Sequence, residues 1–265
     1  MKKVLVIGGT RFFGRKLVEL LIADGHDVTI VTRGQLANPF GDKVKHLIVN
    51  RRDTEAFSTA VEGEYYDIVY DNICYSQNEA KAFCDIFNGK VDKLVFTSTI
   101  ATYAADGKAQ CEAVFFKYAT CPVVAVRFPI VMGVDDYTER LHFHVKHIVN
   151  KEVIGFVNMD AEMSFILAQE AGQFLKWAGL TNVEGPFNAT AQGTISLQAL
   201  IMLVEKATGN QAKIVLVEND EIRSPYAVPA SWYMTAEKAQ QAGFVFSKLN
   251  DWLPGLIWEI AKQSN

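Results

Sequence analysis

The residues best placed to do chemistry stand at the start of the chain, in Gly8-Gly9-Thr10-Arg11-Phe12-Phe13-Gly14. Glycines let a ligand approach the backbone closely. A helix that opens at such a turn offers unpaired N–H groups and the positive end of its dipole. Together these are what a diphosphate needs from a protein. Arg11 takes the place where the usual glycine fingerprint has its middle glycine, which sets a positive charge beside a phosphate. A second cue lies at the end of the next apolar run, where Thr32-Arg33-Gly34 contains an arginine and no acid. An acid there would accept from the ribose 2′-OH of NAD, whereas an arginine can hold the 2′-phosphate of NADP. NADP is therefore favoured over NAD, the other reading of Arg33 being a solvated loop charge.

The flanking elements have the shapes that such a site requires. Val4-Leu5-Val6-Ile7 suits a short strand buried on both faces. After Gly14, the residues Leu17, Val18, Leu20, Leu21 and Ile22 form a helical stripe that Gly25 ends. Further strands are expected at Val28–Val31, Val44–Val49, Ile68–Tyr70, Leu94–Phe96 and Val123–Phe128. Helices are expected from Thr54, capped by Asp53, along Ala80–Phe87, and from about Ala109 to Tyr118. This alternation predicts an α/β fold with a doubly wound parallel sheet. In such sheets the ligand crevice lies beyond the strands' C-terminal ends, where Asn72 to Tyr75 and Thr97 to Thr99 fall.

Past Gly133 the rhythm loosens. Tyr137 to Val149 reads as one helix carrying His142, His144 and His147. Residues 142 and 144 of a helix point about 200° apart, so the three cannot converge on a metal, and no metal site is expected. A helix over Gln169–Ala178, a turn into a strand at Gly185–Ala189, a helix capped by Ser196 that ends near Gly209, and a strand over Ile214–Val217 complete the pattern. From Arg223 to Trp258 the sequence reads as Pro-punctuated loops rich in aromatics, able either to close over a ligand or simply to pack.

The bulk properties set limits. A chain of 265 residues, 49% apolar and 21% charged, has ample material for a core. Its net charge of −4 argues against a broad nucleic-acid footprint. No apolar stretch approaches a membrane span, and the run after Lys2-Lys3 meets Gly8 and Arg11 too soon for a signal peptide. A cytoplasmic location is expected. Cys74, Cys84, Cys111 and Cys121 show no CxxC spacing, so free thiols without a metal or redox role are expected.

Taken in order, Gly8 to Gly14, Ser98-Thr99, Lys108, Arg127-Phe128-Pro129-Ile130-Val131-Met132-Gly133 and Pro186-Phe187-Asn188-Ala189 resemble the extended short-chain dehydrogenase/reductases. The nearest group is the NAD-dependent epimerase/dehydratases, particularly atypical members with a GGTRF-type turn. The resemblance implies a Rossmann core over residues 1–133, joined by a returning segment near 165–192. A smaller α/β substrate-binding part over 134–265 would complete the chain. It also implies NAD(P) on Gly8, Thr10, Arg11, Phe12, Phe13 and Gly14, with Arg33 at the adenosine ribose and Asp53 at the adenine. Asn72 and Ile73 would pass beside the cofactor, Lys108 would contact it, and Pro129 and Ile130 would sit by the nicotinamide.

The family's catalysis uses a Ser or Thr, a Tyr, and a Lys four residues after that Tyr. A tyrosine of pKa about 10 becomes a useful base only beside a cation. Thr99 and Lys108 match two of these positions, but Ala104 stands where the Tyr belongs. Tyr103 and Tyr75 are the two candidate substitutes, and each is equally readable as a packed aromatic. Two functions stay open. One is a reductase, epimerase or dehydratase acting on a sugar-nucleotide-like or small carbonyl substrate. The other is a catalytically silent NAD(P)-binding regulatory or RNA-binding protein, with nucleic acid the weaker branch. Extended relatives often pair through helices, which implies a homodimer.

Overall fold

The computed structural model describes residues 1–101, 107–217 and 222–264. Strand and helix alternate from the start: β1 (Lys3–Ile7), α1 (Phe12–Ala23), β2 (Asp27–Thr32), β3 (Lys45–Ile48), α2 (Thr54–Ala60), β4 (Ile68–Asp71), α3 (Gln77–Phe87), β5 (Leu94–Thr99), α4 (Gly107–Tyr118) and β6 (Val123–Phe128). The chain continues through β7 (Ile130–Met132), α5 (Arg140–Val149), β8 (Val153–Phe156), β9 (Glu162–Met163) and β10 (Phe165–Leu167). It then forms α6 (Ala168–Leu180), β11 (Gly185–Asn188), β12 (Ile195–Ser196), α7 (Leu197–Thr208), β13 (Lys213–Leu216), α8 (Glu237–Gln241) and α9 (Leu249–Ser264).

Two compact units result. The first comprises residues 1–128, 168–189 and 237–244, and its centre is a seven-stranded sheet in the order β11-β6-β5-β4-β1-β2-β3. Every pairing in that sheet is parallel. This is the doubly wound fold that the alternation predicts. The strand order reverses between β1 and β4, the switch point at which such sheets open a crevice.

Val4, Leu5, Val6 and Ile7 are all fully buried, as expected for a strand covered on both faces. Leu5 and Ile7 join Phe57, Phe83, Phe87, Phe96 and Phe115 in one core layer. On α1, the buried Leu17, Val18 and Leu21 supply the stripe, each worth about 1.5–3 kcal/mol on full burial. α1 packs closely on α6, where a Cβ on Gly172 would come within 2.9 Å of the Leu17 amide nitrogen.

The second unit comprises residues 129–167, 190–236 and 245–265. It holds three two-stranded sheets, β10 with β7, β12 with β9 and β13 with β8, beside the mutually packed helices α5, α7 and α9. Its core includes Leu141, Val145, Phe156, Phe165, Leu200, Val204, Leu253 and Ile257. The histidines of α5 are engaged separately. His142 bonds the Val134 carbonyl at 3.0 Å, His147 the Phe143 carbonyl at 2.8 Å, and His144 both the Arg140 carbonyl and the Ser224 hydroxyl. Burial pushes the His144 pKa down to about 3, so it is neutral.

Three expectations need correction. β5 does not open at Thr97 but pairs with β6 through Thr99, because its hydroxyl-bearing residues continue the ladder. α5 begins at Arg140, three residues later than expected, because an Asp136 turn occupies the preceding segment; Thr138 donates to the Asp136 carboxylate from both its N–H and its hydroxyl. The stretch 223–258 is not all loop. Leu249, Leu253, Leu256, Ile257 and Ile260 form a buried helical stripe, and Pro254 stands inside α9, where it supplies no N–H to the Asn250 carbonyl.

Candidate active site

The turn after β1 is held by glycine at both ends. Gly8 adopts φ +86°, a conformation side chains resist, and donates its N–H to the Val31 carbonyl at 3.0 Å. A Cβ on Gly14 would lie 2.4 Å from the Gly8 carbonyl oxygen, so α1 starts directly against the turn's backbone. At the start of α1, Arg11 is extended and contributes no side-chain cap, while the first turn carries no acidic residue. That end of the helix suits an anion by its dipole. Arg11 is exposed, and Thr10 and Phe13 are half-buried. The Phe13 ring packs against Phe12 and Phe128 at centroid distances of 5.9 and 5.7 Å.

Parallel register brings the neighbouring strand ends to the same side. Ile7 is paired with Val31 and with Asp71, so Arg33 and Asn72 follow directly beside the glycine turn. Arg33 is exposed, next to Gly34, whose N–H is taken by the Thr32 hydroxyl. Asp53 is exposed and caps α2, accepting from the Ala56 N–H at 3.1 Å. Ile73 closes over the turn, since a Cβ on Gly8 would come within 2.7 Å of its Cγ2.

Asn72 is buried and does more than pass by. Its side-chain amide donates to the Gly8 carbonyl at 3.2 Å, and its Oδ1 accepts from the Thr97 hydroxyl at 2.7 Å. Beside it lies an ion pair that sequence reading missed. Arg51 and Asp71, 6% and 0% exposed, are joined through Nη1 at 2.7 and 2.5 Å, and Arg51 Nη2 donates to the Glu79 carbonyl. Burial disfavours the guanidinium charge, but the carboxylates of Asp71 and Glu79 outweigh it and hold the Arg51 pKa above its ordinary value. One signal was legible: Asp71 ends an otherwise apolar buried strand, and a carboxylate there demands a partner.

At the far side of the switch point, β5 meets α4. Lys108 Nζ donates to the Thr97 carbonyl at 2.5 Å and lies over the rings of Tyr75 and Phe96, 4.5 and 5.0 Å from their centroids. Gly107 brings the helix against the loop, as a Cβ there would sit 2.1 Å from the Tyr75 carbonyl oxygen. Tyr75 is 50% exposed. The Thr99 hydroxyl, half-buried, accepts from the Ala101 N–H at 3.2 Å. Arg127, on β6, is clamped bidentately by Glu112 at 2.9 and 2.6 Å. Tyr103 and Ala104 lie outside the described residues. Pro129 and Ile130 belong to the second unit, where Ile130 pairs with Phe165.

Comparison with known proteins gives three results. Residues 4–82 match the model of the NAD dependent epimerase/dehydratase family, so the resemblance is shown over that part of the chain. The chloroplast stem-loop binding protein of 41 kDa b from Arabidopsis thaliana is 30% identical over 125 residues, 42% of this chain. The match spans only 33% of that protein's length. Among solved structures, the UDP-N-acetylglucosamine 4-epimerase of Methanobrevibacter ruminantium M1, in complex with UDP-N-acetylmuramic acid, matches with a TM-score of 0.79 at 17% identity, covering 98% of this chain and 99% of that one. Bordetella bronchiseptica WbmG, in complex with NAD and UDP, gives 0.80 at 14% identity over 98% and 93% of the two chains. The UDP-glucuronic acid 4-epimerase of Bacillus cereus, in complex with NAD, gives 0.76 at 15% identity over 99% of each. Identities this low establish a shared fold. No helix among the described residues is long and apolar enough to cross a membrane.

Proposed function

We propose that this chain binds a nicotinamide dinucleotide, NADP in preference to NAD, and acts as a reductase, epimerase or dehydratase on a sugar-nucleotide-like or small carbonyl substrate. The observation that carries the reading is the contact of Gly14 with the Gly8 carbonyl at the start of α1. It sets the first N–H groups of α1 close against the end of β1, the packing that presents them to a diphosphate. Gly8, Thr10, Arg11, Phe12, Phe13 and Gly14 would line the diphosphate, with Arg33 at the ribose 2′-phosphate and Asp53 near the adenine. Asn72 and Ile73 would fix the turn, and Pro129 and Ile130 would sit by the nicotinamide. When bound, the dinucleotide supplies a site that accepts or returns hydride.

The chain's own groups would do the rest. Thr99 would hold the substrate oxygen, and Lys108 would supply the positive charge that favours a tyrosine phenolate. Tyr103 and Tyr75 are the candidate proton carriers. Tyr75 has the support of geometry, being half-exposed with the Lys108 amine over its ring. Nicotinamide fluorescence during titration with NADPH and NADH tests the binding premise, and tighter binding of NADH would refute the role given to Arg33. Oxidation of bound NADPH on adding sugar nucleotides tests the activity. Full turnover retained by both Tyr103→Phe and Tyr75→Phe would refute the proton-carrier roles.

A second reading is favoured by the stem-loop-binding relative and by Ala104: a protein that keeps the nucleotide but binds RNA rather than turning over a substrate. The net charge of −4 weighs against it. Retention of an RNA stem-loop at physiological salt, without NADPH oxidation by any sugar nucleotide, would establish it over the first. Sedimentation of the free protein tests the homodimer.

A further inference from the structure

Two of the four cysteines meet inside the first unit although 37 residues separate them in sequence. Cys74 follows Ile73 in the loop after β4, and Cys111 lies on α4 one turn past Lys108. Their sulfurs are 3.5 Å apart and both residues are fully buried. Cys84 and Cys121 are also free thiols, and burial raises the Cys84 pKa, with Cys121 near enough to add to it. We propose that Cys74 and Cys111 form a reversible dithiol–disulfide site, oxidised by a small peroxide, which ties the loop carrying Tyr75 to the first turns of α4.

The pair is chemically unequal. Cys74 donates its S–H toward Cys111. Accepting that bond, with the Lys108 charge adding to it against burial, holds the Cys111 thiol below its usual range; the same bond, with burial, pushes Cys74 up. Cys111 is thus the sulfur to react first. Its thiolate attacks one peroxide oxygen, the O–O bond breaks, and with one proton taken up the products are a sulfenic acid and water. The Cys74 thiol then attacks that sulfur, forming the S–S bond and releasing a second water. The sum is two thiols and one peroxide giving one disulfide and two waters. Complete burial keeps large disulfide oxidants from direct contact with either sulfur. A small, neutral peroxide is the matching oxidant because it needs the least local opening to reach the pair.

The consequence follows from what the two cysteines adjoin. Gly107 already rests on the Tyr75 carbonyl, and Lys108 on its ring. A covalent tie at Cys74 and Cys111 would restrain that contact from below. The cross-link itself is independent of any bound nucleotide, so its test is separate from that of the proposed function.

The experiment treats the whole native protein with hydrogen peroxide, blocks remaining thiols under denaturing conditions, and maps the peptides by mass. The expected product has lost two hydrogens, contains a Cys74–Cys111 linked peptide, and reverts with dithiothreitol. Hydrogen exchange of residues 72–76 and 107–112 should slow on oxidation and recover on reduction. The Cys84→Ser/Cys121→Ser variant should give the same link, and Cys111→Ala should abolish it. Oxidation that leaves residues 74 and 111 as thiols in the folded protein, or links them only after unfolding, overturns the proposal. So does a link that leaves exchange in both segments unchanged.

Discussion

The glycine turn after β1 and the corner between β5 and α4 stand at the same end of one sheet but are made of different material. The turn is defined by missing atoms: Gly8 takes a conformation that a side chain resists, and Gly14 leaves no room for a Cβ. The corner is defined by side chains, with Lys108 held between a carbonyl and two aromatic rings. Backbone geometry suffices to cradle a diphosphate, whereas proton transfer depends on which side chain reaches the substrate. A fold can therefore keep a backbone-built binding half while the side chains of its other half change.

Four measurements would break or sharpen this contrast. The largest effect is expected from Lys108→Met. Turnover on any sugar nucleotide that supports NADPH oxidation should fall about 10²–10⁴-fold, roughly 3–5 kcal/mol. NADPH affinity should fall far less, and equal losses would erase the distinction between the two regions. Gly14→Ala should do the reverse, weakening NADPH about 100-fold, near 2.7 kcal/mol, because the clash is with backbone. A wild-type dissociation constant by fluorescence titration would remove the turn from the binding site.

Asn72 touches both halves, bonding the Gly8 carbonyl and the Thr97 hydroxyl. Asn72→Ala should lower stability by about 2 kcal/mol in urea denaturation, since it strands buried polar groups. Combined with Thr97→Val in a double-mutant cycle, a coupling of about 1 kcal/mol is expected. Zero coupling would mean that the two regions are held independently. The smallest change belongs to Arg33→Ala, which should weaken NADPH about tenfold and leave NADH unchanged, a difference that shrinks with added salt.

The turn was readable because its cause is local. Glycine at residues 8 and 14, an apolar run before them and a helical stripe after them carry their meaning in short spacings, and the parallel sheet follows from repeating that unit. Asp53 capping α2 and Ser196 capping α7 were legible for the same reason. α9 was not read as a helix because Pro254-Gly255 masks a stripe that runs from Leu249 to Ile260. The pairing of Arg51 with Asp71 escaped because an arginine in a polar loop looks solvated until the strand that receives it is placed.

Sequence alone determined the alternation of strands and helices through β6, the doubly wound sheet, and the glycine turn at the start of α1, since each depends on neighbours within a few residues. Tertiary structure decided that Asn72 joins β1 to β5, that Arg51 neutralises Asp71, and that Cys74 faces Cys111. Those contacts span 20 to 64 residues of chain. Periodicity cannot encode them, because they exist only once parallel strands in register have brought their ends side by side.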